Sequence, residues 1–326
     1  MLAFADADVI KMAQEDFVPV AADDWYQRRR QDAEGEFFRK VADQGPRKGE
    51  GGATRQGIYV CTASGKLIGY RNAQDATVMR GVLKKALKDW NALSADERKP
   101  GAVQVPEFSK PDPKYHRIPP KDGLVVSVYT RILDRTDKGE FCVGTCGFKG
   151  GDQAAHDHLW LTADEWRDLV PKEAKKGDTI AVPERLILRI ARFHLIDNTR
   201  GEPPQWERKH VHTAQMKLIV EETSGKKTRL RVEGRFLIAS GADPTTAERG
   251  FDAHVLGFID ADNGKVTRFD MVVVGDHWGS GTFTGGARPG RTPLGVAFSL
   301  AAGNSPADQV PPQGSRFLRG YYEAEK

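Results

Sequence analysis

Two hydrophobic spacings divide the chain. In the first ninety residues helical spacing dominates, and beyond residue 123 apolar side chains recur mostly at every second position. Asp6 can cap a helix reaching about Glu15, with Val9, Ile10 and Ala13 on one face. The run Phe17–Ala22 reads as a strand, and Pro19 inside it asks for an edge or a bulge. A second helix is expected from Trp25 to about Asp43, with Trp25, Phe37, Phe38 and Val41 inward and Gly35 as a weak point. After a glycine-rich, charged loop at 45–57, residues 57–70 form a hairpin whose turn needs the positive φ that Gly65 can supply. Residues 75–90 form an amphipathic helix behind Asp75, striped by Val78, Met79, Val82, Leu83 and Leu87.

Proline and charge fill 94–122, which reads as a linker between a domain at 1–93 and a second at 123–326. In the second, 123–133 and 140–148 read as strands. Thr162 with Glu165 makes a capping box for a short helix. Residues 182–196 form another helix, opened by Pro183. Two hairpins follow, turning at Ser224-Gly225 and at Asn263-Gly264. A last helix is expected behind Thr292-Pro293. Hairpins with helices placed elsewhere imply an α+β fold, an antiparallel β-rich domain with a few short helices.

Charge alters this picture little. The 49 basic and 45 acidic side chains are interspersed and leave a net +4, a solvated surface more than an electrostatic funnel. Arg28-Arg29-Arg30 beside Trp25 and Tyr26 is the longest basic run, and it reads as one polar helix face; no nucleic-acid partner is expected. No stretch is long and apolar enough to span a membrane. The acidic start, with Asp6 and Asp8, is not a secretory signal, so the expected location is cytoplasmic, or periplasmic or exported if the biological start lies upstream. Three cysteines make no disulfide framework.

The helix 6–15, the run Phe17–Ala22, the hairpin Ile58–Tyr70 and the helix Asp75–Trp90 together resemble the thioredoxin-like superfamily over about residues 1–90. The resemblance implies an incomplete or degenerate α/β/α domain whose hairpin would be its last two strands and whose final helix packs on the sheet. It also implies a Cys-x-x-Cys at a helix start, where the helix lowers the thiol pKa, and a cis-proline beside it. The chain has no Cys-x-x-Cys, and Gly57 stands near the proline position. The first strand and cysteine helix of that family would precede Met1, so the member has lost them or the start is an internal methionine. No catalytic residue is therefore assigned, and Cys61 is expected in the core. The expected function is non-catalytic binding or interaction. One alternative is a thiol-disulfide oxidoreductase whose cysteines lie upstream.

Cys142, Cys146, His156 and His158 fall within seventeen residues. Two thiolates and two imidazoles are a tetrahedral donor set, so the cofactor expectation is none, with zinc or copper on these four residues as the alternative. Residues 272–301 place Asp276-His277-Trp278 before a glycine-rich loop carrying Arg288 and Arg291. Backbone N–H groups and arginines in such a loop can hold an anion, which makes His277, Arg288 and Arg291 the candidate ligand-binding residues. The partner expected is another protein or a small anion. Asp197, Asn198, Arg200 and Glu202 lie in a polar loop, the kind of segment that carries function more often than a core does.

Overall fold

A computed structural model describes the chain except residues 1–2, 50–52, 74, 101–104, 106, 108–109, 143–153, 172 and 324–326. It divides into two compact units, Met1–Ile118 and Pro119–Lys326. The fold is mixed α+β, with a two-stranded and an eight-stranded antiparallel sheet.

In the first unit α1 (Ala7–Asp16) begins where expected, the Asp6 carboxylate accepting from Val9 N. The expected strand Phe17–Ala22 does not form. The segment has no regular structure, and Val18 and Val20 are 90% and 82% exposed, because Pro19 lacks a ladder donor. The expected single helix over 25–43 is two, α2 (Asp24–Gln27) and α3 (Ala33–Ala42). The break lies at Asp32, whose side chain caps α3 by accepting from Gly35 N and takes a two-pronged ion pair from Arg30. Burial alone would raise the Asp32 pKa, but these donors and Asp112 N hold it down at about 2. The basic run is thus used within the unit: Arg28 pairs with Asp24, Arg30 with Asp32, and Arg29 lies over the Trp25 ring.

The hairpin β1 (Ile58–Cys61) and β2 (Leu67–Arg71) turns at Gly65, φ 83°. Helix α4 (Ala76–Ala92), capped by Asp75, packs Met79, Leu83 and Ala86 against Val9 and Val60. Cys61 ends β1 at the surface instead of in the core. Part of the expected linker belongs to this unit. Asp112 accepts from Gln31 N, Lys114 N and Tyr115 N, and Tyr115 packs edge-on against Trp25.

The second unit contains β3 (Leu124–Ile132), β4 (Ala154–Leu161), α5 (Ala163–Asp168), β5 (Thr179–Ala181), α6 (Glu184–Arg189), β6 (Val211–Ser224), β7 (Lys227–Ala239), β8 (Gly250–Asp262), β9 (Lys265–Trp278), β10 (Thr292–Leu300) and α7 (Leu318–Glu323). The strands lie in the order β4-β3-β10-β9-β8-β7-β6-β5. Both expected hairpins form. Asn263 (φ 51°) and Gly264 (φ 71°) make the tight turn between β8 and β9, and Gly225 (φ 59°) that between β6 and β7. The expected helix after Thr292-Pro293 is β10 instead. Leu294, Val296 and Phe298 alternate inward, and Pro293 is tolerated because it sits near the strand's start, one residue before the pairing with β3 begins. The expected strand 140–148 lies mostly outside the described residues.

One sheet face is apolar, through Val126, Val128, Leu218, Val232, Phe236, Phe251, Val255, Met271, Val273 and Val296. Helix α6 covers it and runs on as a π-helical turn at Ile190–His194, where Leu195 N reaches Ile190 O. The extra residue in that turn releases the chain into a loop that returns with Trp206. Trp206 is buried against the turn, its Nε1 donating to Leu195 O. The opposite face carries paired charges such as Arg229 with Asp260 and Arg235 with Asp252.

Candidate functional site

At the β9–β10 end of the second unit's sheet, three segments converge on a small cleft of about 20 Å³ that opens to solvent, lined by Asp197, Arg200, His277, Trp278, Gly279, Arg288 and Leu294, among others. His277 comes from β9, where period-two alternation continues the inward row of Phe269, Met271 and Val273. Register sets it opposite Phe251 and Thr292. Asp197 and Arg200 come from the loop behind the π turn. Arg288 comes from the glycine-rich loop, donating to Pro293 O and lying 3.8 Å from Asp134.

Arg200 ties the two loops together. Its Nε donates to Asp197 Oδ2 at 2.6 Å, Nη1 to Thr284 O at 3.0 Å and Gly285 O at 3.2 Å, and Nη2 to Gly279 O at 3.3 Å. The approach is close at Gly279, where φ is +79° and a Cβ would meet Glu248 O at 2.0 Å, so only glycine fits. Trp278 plugs the sheet end with its Nε1 on Ala247 O, while Phe283 in the glycine-rich loop is exposed.

Electrostatics make this cleft unusual. His277 is 6% exposed, lines the cleft, and neither ring nitrogen has a hydrogen-bond partner among the described residues. Burial, reinforced by Arg200, Arg249 and Arg288 against the opposing charge of Asp197, pushes its pKa down to about 4. Asp197 is also buried. Burial works against its carboxylate, yet the Thr199 hydroxyl and Arg200 hold its pKa below the ordinary value. Behind the cleft, Arg249 is 8% exposed, stacks 3.9 Å over Trp206 and donates to Pro204 O. It has no carboxylate within ion-pair distance among the described residues, and burial lowers its pKa to about 10. Asp197 acts on it only through its charge, without contact. A nearly buried guanidinium without a contacting counter-charge is costly, and an anion in the adjoining cleft would relieve that cost.

Of the three residues expected to bind an anion, the fold brings His277 and Arg288 together. Arg291 does not line the cleft; it is exposed and lies 3.7 Å over the ring of the cleft-lining Trp278. The loop holding Asp197 and Arg200, legible only as polar, joins the same site. Arg249 had no local signal at all, since only the packing of residues 204–206 against it makes it part of this site.

The four expected metal ligands are not assembled. Cys142 is disulfide-bonded, so its sulfur is not a thiolate ligand in this state. Cys146 lies outside the described residues. His156 and His158 do stand together on β4, with ring centroids 4.6 Å apart. Among the described residues no group of three histidine, cysteine, aspartate or glutamate side chains is placed to hold a metal ion.

A second buried polar cluster lies deeper in the same unit. Arg189, fully buried, donates to both oxygens of Glu165 (2.8 and 2.5 Å) and to Trp160 O and Tyr321 O. The Tyr321 hydroxyl meets His194 Nε2 at 3.0 Å and accepts from Trp160 N at 3.3 Å. Asp157 Oδ2 lies 3.4 Å from His194 Nδ1, and Asp157 Oδ1 accepts from Gln313 N. Aspartate, histidine and tyrosine in a row resemble a proton relay, but Tyr321 is wholly buried and burial drives its pKa well up, which keeps the phenol protonated. No family model matches the chain, and no curated protein or solved structure matches it either.

Proposed function

We propose that the chain is a non-catalytic binding protein whose second unit captures an anionic group, a small oxyanion or the anionic end of a larger molecule, in the His277–Arg288 cleft. The observation that carries this reading is the pairing of a buried Arg249, which no carboxylate contacts among the described residues, with a cleft-lining His277 whose ring has no hydrogen-bond partner there. Arg200, paired with Asp197, and Arg288, 3.8 Å from Asp134, place further guanidinium N–H groups at the mouth, and neutral His277 can donate one hydrogen bond.

Binding is favoured over thiol chemistry by the sequence and by Cys61. The chain lacks Cys-x-x-Cys, and although Cys61 ends β1 at the surface, the packing around its sulfur still pushes the thiol up, away from the thiolate that disulfide attack needs. For the first unit the thioredoxin-like relationship is part of the proposal. Its support is the order β1, β2, α4 with α4 packed on the hairpin; the strand that the relationship expects at Phe17–Ala22 does not form.

The test is thermal denaturation of the full chain with phosphate, oxalate and acetate at constant ionic strength and pH 7, followed by calorimetric titration with whichever anion acts. A saturable rise in Tm, lost in Arg249→Met, supports the reading. No saturable response to any of the three, or an unchanged response in Arg249→Met, overturns it.

A further inference from the structure

The π-helical turn that releases the chain toward Trp206 also borders a cavity of about 230 Å³, walled on its other sides by the loop at Gln205 and by the start of α7. A π turn winds less per residue than an α turn, so the adjacent Arg192 and Phe193 diverge less and both reach the cavity. Single π turns inside helices recur at functional sites. The packing behind this one depends on Gly314, where a Cβ would come within 2.8 Å of both the Phe193 and the Tyr321 rings. Phe193 is thereby held edge-on to Tyr321, with ring centroids 5.3 Å apart.

Two kinds of surface line the cavity. The aromatic part is Phe193, nearly buried at the base, and Phe317, which ends the 3₁₀ turn Gln313–Phe317 and is 58% exposed at the rim. The polar part is Arg192 and Gln205. Arg192 is 4% exposed; its Nε donates to Trp206 O at 3.0 Å and its Cζ lies 5.1 Å over the Phe193 ring, which fixes the guanidinium beside the aromatic wall. The remaining charges answer each other. Arg319 Nε donates to Glu323 Oε2 at 2.9 Å, with both side chains largely in water, so this pair cancels at the rim and Arg192 sets the sign of the cavity.

We propose that this cavity binds a small aromatic carboxylate, its ring against Phe193 and Phe317 and its carboxylate on Arg192 and Gln205. Size decides the first half. A cavity of about 150 Å³ holds a benzene ring, so this one takes a single ring with a short polar arm and has no room for a second ring system. Charge decides the second half. A guanidinium withdrawn from water favours a carboxylate over a neutral group of the same shape, and the Gln205 amide can donate to the same anion. The cavity is a site distinct from the Asp197–Arg288 cleft, since the two share no lining residue. An inorganic oxyanion, which suits that cleft, would leave the aromatic wall of this one uncovered.

The experiment follows 4-fluorobenzoate by fluorine NMR as the full chain is added at neutral pH and constant ionic strength. Saturable binding with a Kd below about 1 mM, displaced by benzoate, supports the proposal; weaker or non-saturable binding overturns it. Phe317→Ala, whose side chain lies mostly in water, should weaken binding by about fivefold. Arg192→Gln, checked for folding by circular dichroism, should weaken it by about tenfold or more. Should that variant not fold, Phe317→Ala and Gln205→Ala carry the test. An affinity unchanged in Phe317→Ala overturns the proposal. So does a loss of binding in Arg249→Met, which would place the ligand in the other cleft. 4-Fluorobenzyl alcohol should bind about tenfold more weakly than the carboxylate, and equal affinity overturns the carboxylate assignment.

Discussion

Two buried polar clusters in the second unit are built from the same side-chain types and do opposite things. Around Arg189 the charges are matched, with both Glu165 oxygens engaged and two backbone carbonyls taking further guanidinium protons. Around His277 they are not. Arg249 has no carboxylate within ion-pair distance among the described residues, Asp197 acting on it only through its charge, and the imidazole has no hydrogen-bond partner there. A charge-matched cluster behaves as a fixed part of the core, whereas surplus cationic charge beside a cleft is a place for an anion to bind. Burial alone would have ranked the Arg189 cluster as the functional one.

The comparison can be broken by mutation. Removing Glu165 should be the most damaging change, because it strands a fully buried guanidinium. Glu165→Ala should cost about 3–5 kcal/mol by urea denaturation, and a cost below about 1 kcal/mol would show that the cluster is not matched as described.

Next in size is the pH response of His277. Its folded pKa of about 4 lies below the ordinary imidazole value of about 6.5. The unfolded chain therefore takes the proton first. Stability from the neutral ring is complete above about pH 6.5 and declines as pH falls toward 4, by roughly 2–3 kcal/mol. His277→Gln should flatten that part of the stability–pH curve, and a bound anion should shift it to lower stability loss by favouring the imidazolium.

Arg249→Met should change stability in anion-free buffer by no more than about 1 kcal/mol in either direction, since it removes a buried cation that no carboxylate offsets. Its effect belongs to the anion response, measured by the Tm shift. The smallest change should come from the first unit, where Val20→Ser should alter stability by less than about 0.5 kcal/mol because the side chain is largely in water.

Local chemistry made much of the fold readable. Asp6 and Asp75 cap helices through the expected N–H groups, and Thr162 with Glu165 closes the capping box. Asn263-Gly264 turns as its dihedral preferences require. The errors came where one strong local cue outweighed a pattern. Thr292-Pro293 looked like a helix start, although Leu294, Val296 and Phe298 already alternate with period two. Phe17–Ala22 looked like a strand because its residues are apolar, but nothing in a sequence shows whether a partner strand exists. The site was half readable for the same reason. His277 and Arg288 stood out in an odd stretch, whereas Arg249 matters only because distant residues bury it.

The sheet order carries a consequence for biosynthesis. The hairpin of β3 and β4 is complete when residue 161 leaves the ribosome, yet its neighbour β10 begins at residue 292, about 130 residues later. At about 5–20 residues per second, the hairpin waits on the order of ten seconds with one edge unpaired. Meanwhile β6 to β9 can assemble as a simple meander. The last strand then enters between two halves already made, pairing with β9 on one side and β3 on the other. Translation speed and chaperone occupancy during that interval should therefore govern the yield of this protein more than the stability of its finished form.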